Sequence, residues 1–169
     1  EEFFKRGHSF DRLLGTSAGA ITATLLAAGY TPGEMLGALT EKEDGKSVIY
    51  GAQLNSNPPP LRICKIDSEG KLLLEIPNAN TSEVPGGWNG LTAVTVGPDG
   101  AVFAAMGYGS QLIHKFDASG KLLKTFGAKG NGDGQFNTCH GLTIDTRFGA
   151  PRLLVADRGN RRLCHLDLE

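Results

Sequence analysis

The feature that most limits what this chain can fold into is a segment that returns at a fixed distance. Gln111-Leu-Ile-His-Lys-Phe-Asp-Ala-Ser-Gly-Lys-Leu-Leu-Lys-Thr-Phe126 reads as strand, tight turn and strand: apolar Leu112–Phe116, then Asp117–Gly120, then Leu122–Phe126. The same pattern stands upstream as Ile63-Cys-Lys-Ile-Asp-Ser-Glu-Gly-Lys-Leu-Leu-Leu-Glu-Ile76, at an offset of 113 − 63 = 50. Its first half returns as Leu163-Cys-His-Leu-Asp167, where 163 − 113 is again 50. A period of this size marks an array in which each unit buries its faces against its neighbours.

Laid out by that period, strand pieces fall at 61–67, 71–76, 91–96, 102–106, 111–117, 121–126, 141–145, 152–157 and 161–167. Several are apolar on both faces, as in Gly100-Ala-Val-Phe-Ala-Ala105 and Arg152-Leu-Leu-Val-Ala156, which suits sheets stacked face to face. Four strands per unit point to a β-propeller blade. The expected fold is therefore mostly β: an incomplete β-propeller of a little over two four-stranded blades. A propeller ring takes roughly four to eight blades. Two would leave open strand edges and a bare face at each end, so the array either self-associates or belongs to a larger ring.

More specifically, three stretches resemble the NHL repeat: Phe126-Gly-Ala-Lys-Gly-Asn-Gly-Asp-Gly-Gln-Phe136, Gly141-Leu-Thr-Ile-Asp145 and Leu154-Val-Ala-Asp-Arg-Gly-Asn-Arg-Arg-Leu163. The resemblance covers residues 61–169 and implies a binding or scaffold module with a protein or small-molecule ligand on the propeller face. One repeat earlier Met106-Gly-Tyr-Gly-Ser110 takes the place of Asp157-Arg-Gly-Asn-Arg161, without its charges.

Residues 1–49 have another character. Phe10-Asp-Arg-Leu-Leu-Gly15 is a short apolar strand that enters Gly15-Thr16-Ser17-Ala18-Gly19 and a run of small apolar residues ending at Ala28. Gly29 is a helix stop, and Thr31-Pro32-Gly33-Glu34 is a helix start. The expectation is an α/β fragment with a strand, a nucleophile elbow and two helices. In a strand, Gly-x-Ser-x-Gly, helix context the glycines permit the sharp turn that lifts a serine out of the backbone. Phe10 to Tyr30 resembles the patatin-like phospholipases, serine acyl hydrolases with a Ser–Asp dyad. By that resemblance Ser17 is the nucleophile, and Gly15, Thr16, Ala18 and Gly19 shape the elbow. The family's glycine-rich oxyanion loop would lie before Glu1. Asp99-Gly100-Ala101 has the letters of the family's aspartate motif but reads as a hairpin turn between strands. A serine without a base is a poor nucleophile, so the elbow is expected to be idle.

Between the two segments, Tyr50-Gly-Ala-Gln-Leu-Asn-Ser-Asn-Pro-Pro-Pro60 reads as an extended linker, giving boundaries of 1–49, 50–60 and 61–169. Two resemblances meeting at a linker suggest a chimera, and a start at Glu1-Glu2-Phe3 suggests a fragment.

In the array, Cys139-His140-Gly141 opens a strand, and in propellers the start of a blade's first strand lies on the ligand-binding face. Asn89, before Gly90-Leu91-Thr92, takes the equivalent place under an offset of 141 − 90 = 51. The array also resembles peptidyl-hydroxyglycine lyase, which implies that His140, with Cys139 beside it, could be one ligand of a zinc or calcium ion in the propeller channel. The alternative is a packed or hydrogen-bonded histidine, since a zinc site takes about four ligands. Asp157, Arg158, Asn160 and Arg161 read as a turn with a strand-end ion pair. Trp88 and Tyr108 are either an aromatic patch or core.

Net charge is −1, which removes any broad electrostatic case for nucleic acid. No apolar run approaches the roughly 18 residues of a membrane span. Three cysteines, Cys64, Cys139 and Cys164, are too few for a disulfide scaffold and read as small buried hydrophobes. No compartment follows from them.

Overall fold

The computed structural model describes residues 41–43, 46–53, 61–67, 69–147 and 149–169. The expected elbow, Ser17 with Gly15, Thr16, Ala18 and Gly19, lies outside them. The chain divides into two compact units, Glu1–Ile49 and Tyr50–Glu169. In the first, β1 (Glu41–Glu43) pairs antiparallel with the start of β2 (Lys46–Gln53), Glu41 opposite Val48. β2 runs on through Gln53, so the first four residues of the expected linker are strand.

The described residues are mostly strand, arranged in three antiparallel sheets, none of which closes on itself. β3 (Arg62–Asp67) and β4 (Leu72–Ile76) belong to the first sheet. The second is a meander of β5 (Ala93–Val96), β6 (Val102–Ala105), β7 (Ile113–Phe116) and β8 (Leu122–Phe126). The third holds β9 (Cys139–Asp145), β10 (Arg152–Asp157) and β11 (Arg162–Asp167), in the order β11-β10-β9. The one helical turn among the described residues is a 3-10 turn at Arg158–Asn160.

The fifty-residue period is visible in the backbone. In β3 and β4, Ile63 faces Ile76 and Cys64 faces Glu75, and the register shifts between Lys65 and Ile66. In β7 and β8, Ile113 faces Phe126 and His114 faces Thr125, and the register shifts between Lys115 and Phe116. Both turns are built alike. Asp67 Oδ1 accepts the N–H groups of Glu69 and Lys71, and Asp117 Oδ1 accepts those of Ser119 and Lys121. A carboxylate that holds its own turn in this way is an Asx turn. Gly70 and Gly120 close the two turns at φ of 81° and 89°, a region that glycine enters at little cost.

Packing follows from the two-residue side-chain period of a strand. Val102, Ala104 and Phe116 join Ile63, Ile76, Leu91 and Met106 in one apolar cluster. Phe103, Ala105 and Ile113 face the other way and join Phe136, Cys139, Leu153 and Val155 in a second. The second sheet thus has apolar residues on both faces, and all four residues of β6 are buried. Trp88 belongs to the first cluster, with its ring edge-on to Phe116 at 5.8 Å and its indole N–H donated to the Leu61 carbonyl. Cys139 belongs to the second cluster.

Asp99-Gly100-Ala101 is a hairpin turn. The Gly97 N–H donates to the Ala101 carbonyl, and Asp99 Oδ1 accepts the Ala101 N–H while Val96 faces Val102. This carboxylate holds a turn between β5 and β6.

Candidate functional site

The site is built where β9 begins and the β10–β11 connection turns. Asp157 ends β10 fully buried. Its Oδ1 accepts the Asn137 N–H at 2.7 Å, and its Oδ2 accepts Asn160 Nδ2 at 2.7 Å and Arg162 Nε at 2.9 Å. Burial alone would raise its pKa, but these donors outweigh burial and hold the carboxyl below its ordinary value. Arg162 then donates to the carbonyls of Asn131, Gly132 and Gln135. Asp157, Asn160 and Arg162 therefore form a clamp that fastens the glycine-rich loop 127–136 to the hairpin. The turn and strand-end ion pair expected from Asp157, Arg158, Asn160 and Arg161 are present, but the pair is made with Arg162, one position beyond that group; the side chain of Arg161 is exposed.

His140 lies where the β9–β10 register shifts: Gly141 faces Ala156 and Cys139 faces Asp157, which leaves His140 without a partner on β10. Such irregularities re-aim side chains and are common beside sites. His140 Nε2 is 2.8 Å from the phenol oxygen of Tyr108, and the rings meet edge to face at 5.3 Å. Arg158 NH1 donates to the same oxygen at 3.4 Å, and its guanidinium stands 5.6 Å from the centre of the Tyr108 ring. Which of the two donates, the phenol or Nε2, depends on the His140 tautomer. Beside this group is an open depression of about 530 Å³, lined by His140, Gly141, Ala156, Asp157, Arg158, Arg161, Arg162 and Leu163.

Two sequence candidates move. Cys139 was expected on the binding face, but it is 0% exposed and its thiol is packed in the second cluster. Burial, with Asp157 nearby, pushes the thiol up to about 11, so it stays protonated and is a poor ligand or nucleophile at neutral pH. Asn89 is not the counterpart of His140. Val94 and Val96 pack on the first cluster as Leu142 and Ile144 pack on the second, which sets the offset here at 142 − 94 = 48. Asn89 then matches Asn137, and each lies so close to a turn glycine, Gly109 or Gly159, that no Cβ would fit there. His140 matches Thr92, whose hydroxyl donates to the Cys139 carbonyl at 2.7 Å. Tyr108 and Trp88 do not form one patch: Trp88 is core, and Tyr108 is 58% exposed beside His140.

The donor set around His140 does not fit a divalent metal. Nε2 is engaged by Tyr108, the neighbouring thiol is protonated, and Arg158 and Arg161 place positive charge at the same depression. No group of three or more His, Cys, Asp or Glu side chains gathers among the described residues. A zinc site needs about four ligands and a calcium site about six to eight oxygens.

Comparison with known proteins bears on the other end of the chain. A family model described as patatin-like phospholipase matches residues 2–81. The match covers just under half of the chain and runs past residue 49 through β2, β3 and β4. Among solved structures, a member of the DUF4221 family from Bacteroides vulgatus is similar at 12% identity and a TM-score of 0.46, over 75% of this chain and 41% of that one. The chain thus spans about two fifths of that structure's length. No helix among the described residues is long and apolar enough to cross a membrane.

Proposed function

We propose that residues 61–169 are a binding module of propeller type, built from leaves of the NHL kind, and that residues 1–49 are a patatin-like elbow fragment. The fifty-residue identity of register between β3–β4 and β7–β8 supports the leaf architecture. The observation that carries binding over catalysis is the nature of the exposed polar group. His140 on β9 and Tyr108 and Arg158 on the turns after β6 and β10 hold one another by hydrogen bonds and ring contacts, while the nucleophile-type side chain beside them, Cys139, is buried and protonated. The Asp157–Asn160–Arg162 clamp accounts for the charged letters of the NHL-like stretch without giving them a catalytic part. The ligand is a protein or small molecule on the face that carries His140.

A second reading, lipid acyl-ester hydrolysis by Ser17, is favoured by the family match over residues 2–81. Asp99 is held in its own turn and is a poor candidate for the dyad base. A fluorophosphonate probe separates the two. The binding reading expects no labelling at Ser17 and no ester turnover. Labelling that disappears in Ser17→Ala, together with hydrolysis of a short-chain ester, would replace it with the hydrolase.

A further inference from the structure

We infer that the depression beside His140 binds an organic anion: a carboxylate or phosphate-monoester head carried on a short apolar body. The inference rests on reading this segment as a binding module and names the chemistry of its ligand.

Charge is the first reason. Three arginines and one carboxylate line the depression, which leaves two positive charges when His140 is neutral. The carboxylate, Asp157, is committed to Arg162, Asn160 and the Asn137 N–H and does not neutralise Arg158 or Arg161. Neither of those two arginines has an ion-pair partner among the described residues. Arginine is the side chain best suited to the flat, two-oxygen face of a carboxylate or phosphate.

The uncommitted side chain of Arg161 is the second. Among the described residues three non-glycine positions adopt left-handed backbone, Gln111 at φ 64°, Thr138 at 62° and Arg161 at 54°, and all three belong to the turns at this end of the sheets. In Gln111 the strained position is put to structural use. Its side chain donates to the Gly107 and Gly109 carbonyls and accepts the Thr138 N–H. Arg161 stands fifty residues later in the same backbone conformation, yet its side chain makes no hydrogen bond or ion pair among the described residues. The left-handed backbone at Arg161 ends the 3-10 turn, its N–H donated to the Arg158 carbonyl, while the guanidinium is left uncommitted at the depression and open to a ligand.

Shape and preorganisation complete the case. Gly141, Ala156 and Leu163 give the depression an apolar side, and Leu163 is 69% exposed. Arg158 is steadied by the Tyr108 ring and hydroxyl, and Tyr108 by His140. Arg158 and Arg161 would take the anionic head, with the apolar body against Ala156 and Leu163.

The 169-residue chain is titrated with hexanoate and with hexyl phosphate, and heat and amide NMR shifts are recorded. Hexanol and hexyltrimethylammonium serve as matched controls. Saturable one-to-one binding of at least one anion is expected, and the tighter of the two identifies the head group. Arg158→Gln and Arg161→Gln should each weaken it about tenfold, while Arg152→Gln, an exposed arginine outside the depression, should leave it unchanged. The inference is overturned if neither anion saturates, if hexanol binds as tightly, or if Arg152→Gln weakens binding as much as Arg161→Gln. Failure here with Ser17 still unlabelled removes this ligand class and leaves the binding module. Fluorophosphonate labelling at Ser17 removes the module reading itself.

Discussion

His114 is a histidine in a column that otherwise holds cysteine, Cys64 fifty residues before and Cys164 fifty after. It is 0% exposed, its Nδ1 is 2.8 Å from the Thr125 hydroxyl, and its Nε2 has no hydrogen-bond partner. Burial disfavours the imidazolium and lowers the pKa from 6.5 to about 4. The unfolded chain therefore takes up a proton near pH 6.5, whereas the folded chain resists until about pH 4. This contribution to stability is complete above pH 6.5 and is lost as the pH falls through that window, to at most about 3 kcal/mol. Urea unfolding at pH 7.5 and 4.5 checks the sign. The wild-type chain should lose about 2 kcal/mol more than His114→Cys between the two pH values. Equal losses would show that His114 is not the group responsible. The column was legible in the sequence; the missing partner at Nε2 was not, because it depends on which side chains the neighbouring sheet brings across.

At the scale of the element, the two repeated hairpins offer an internal control. Gly70 and Gly120 have the same left-handed backbone, so alanine at either position costs about 1 kcal/mol from conformation alone. A Cβ on Gly70 meets nothing within 4 Å, whereas one on Gly120 comes within 2.7 Å of Asn78 Nδ2 and 3.2 Å of Ile76 Cγ1. Asn78 cannot yield easily, since its amide already donates to the Glu75 and Ser119 carbonyls. Thermal unfolding of the two alanine variants should show Gly120→Ala less stable than Gly70→Ala by about 1–2 kcal/mol. Equal destabilisation would mean that the loop at Asn78 is looser than described. From β3 onward strand limits were readable to within two residues, because turn residues and apolar runs alternate regularly there, whereas β1 and β2 were not read as strands. The site was read less well. Gly90-Leu91-Thr92 and Gly141-Leu142-Thr143 share letters but not places, and matching the letters gave 51 where burial gives 48. Asp157 shows the same limit, because its clamp on the loop depends on Arg162 reaching carbonyls about thirty residues away.

For the molecule as a whole, what matters is how the second unit manages its edges. β4 and β8 are edge strands among the described residues, and Leu73 and Leu123 lie on them fifty residues apart, 46% and 52% exposed. Edge strands with exposed leucines are templates for pairing with another chain. Sedimentation velocity should show association that grows with concentration and falls in the Leu73→Lys/Leu123→Lys double variant. A chain that stays monomeric throughout would show that these edges are blunted by other means. Lys115 Nζ and Lys124 Nζ donate to the carbonyls of Leu168 and Glu169, which draws the tail of the third sheet back onto the second.

β6 has apolar neighbours above and below it and paired strands on either side. In heavy water its amides should therefore be the last to trade protium for deuterium, behind those of the outer leaves. Fraying of a single hairpin will not release them; two stacked layers must first come apart, so the exchange rate of four residues would time the opening of the array.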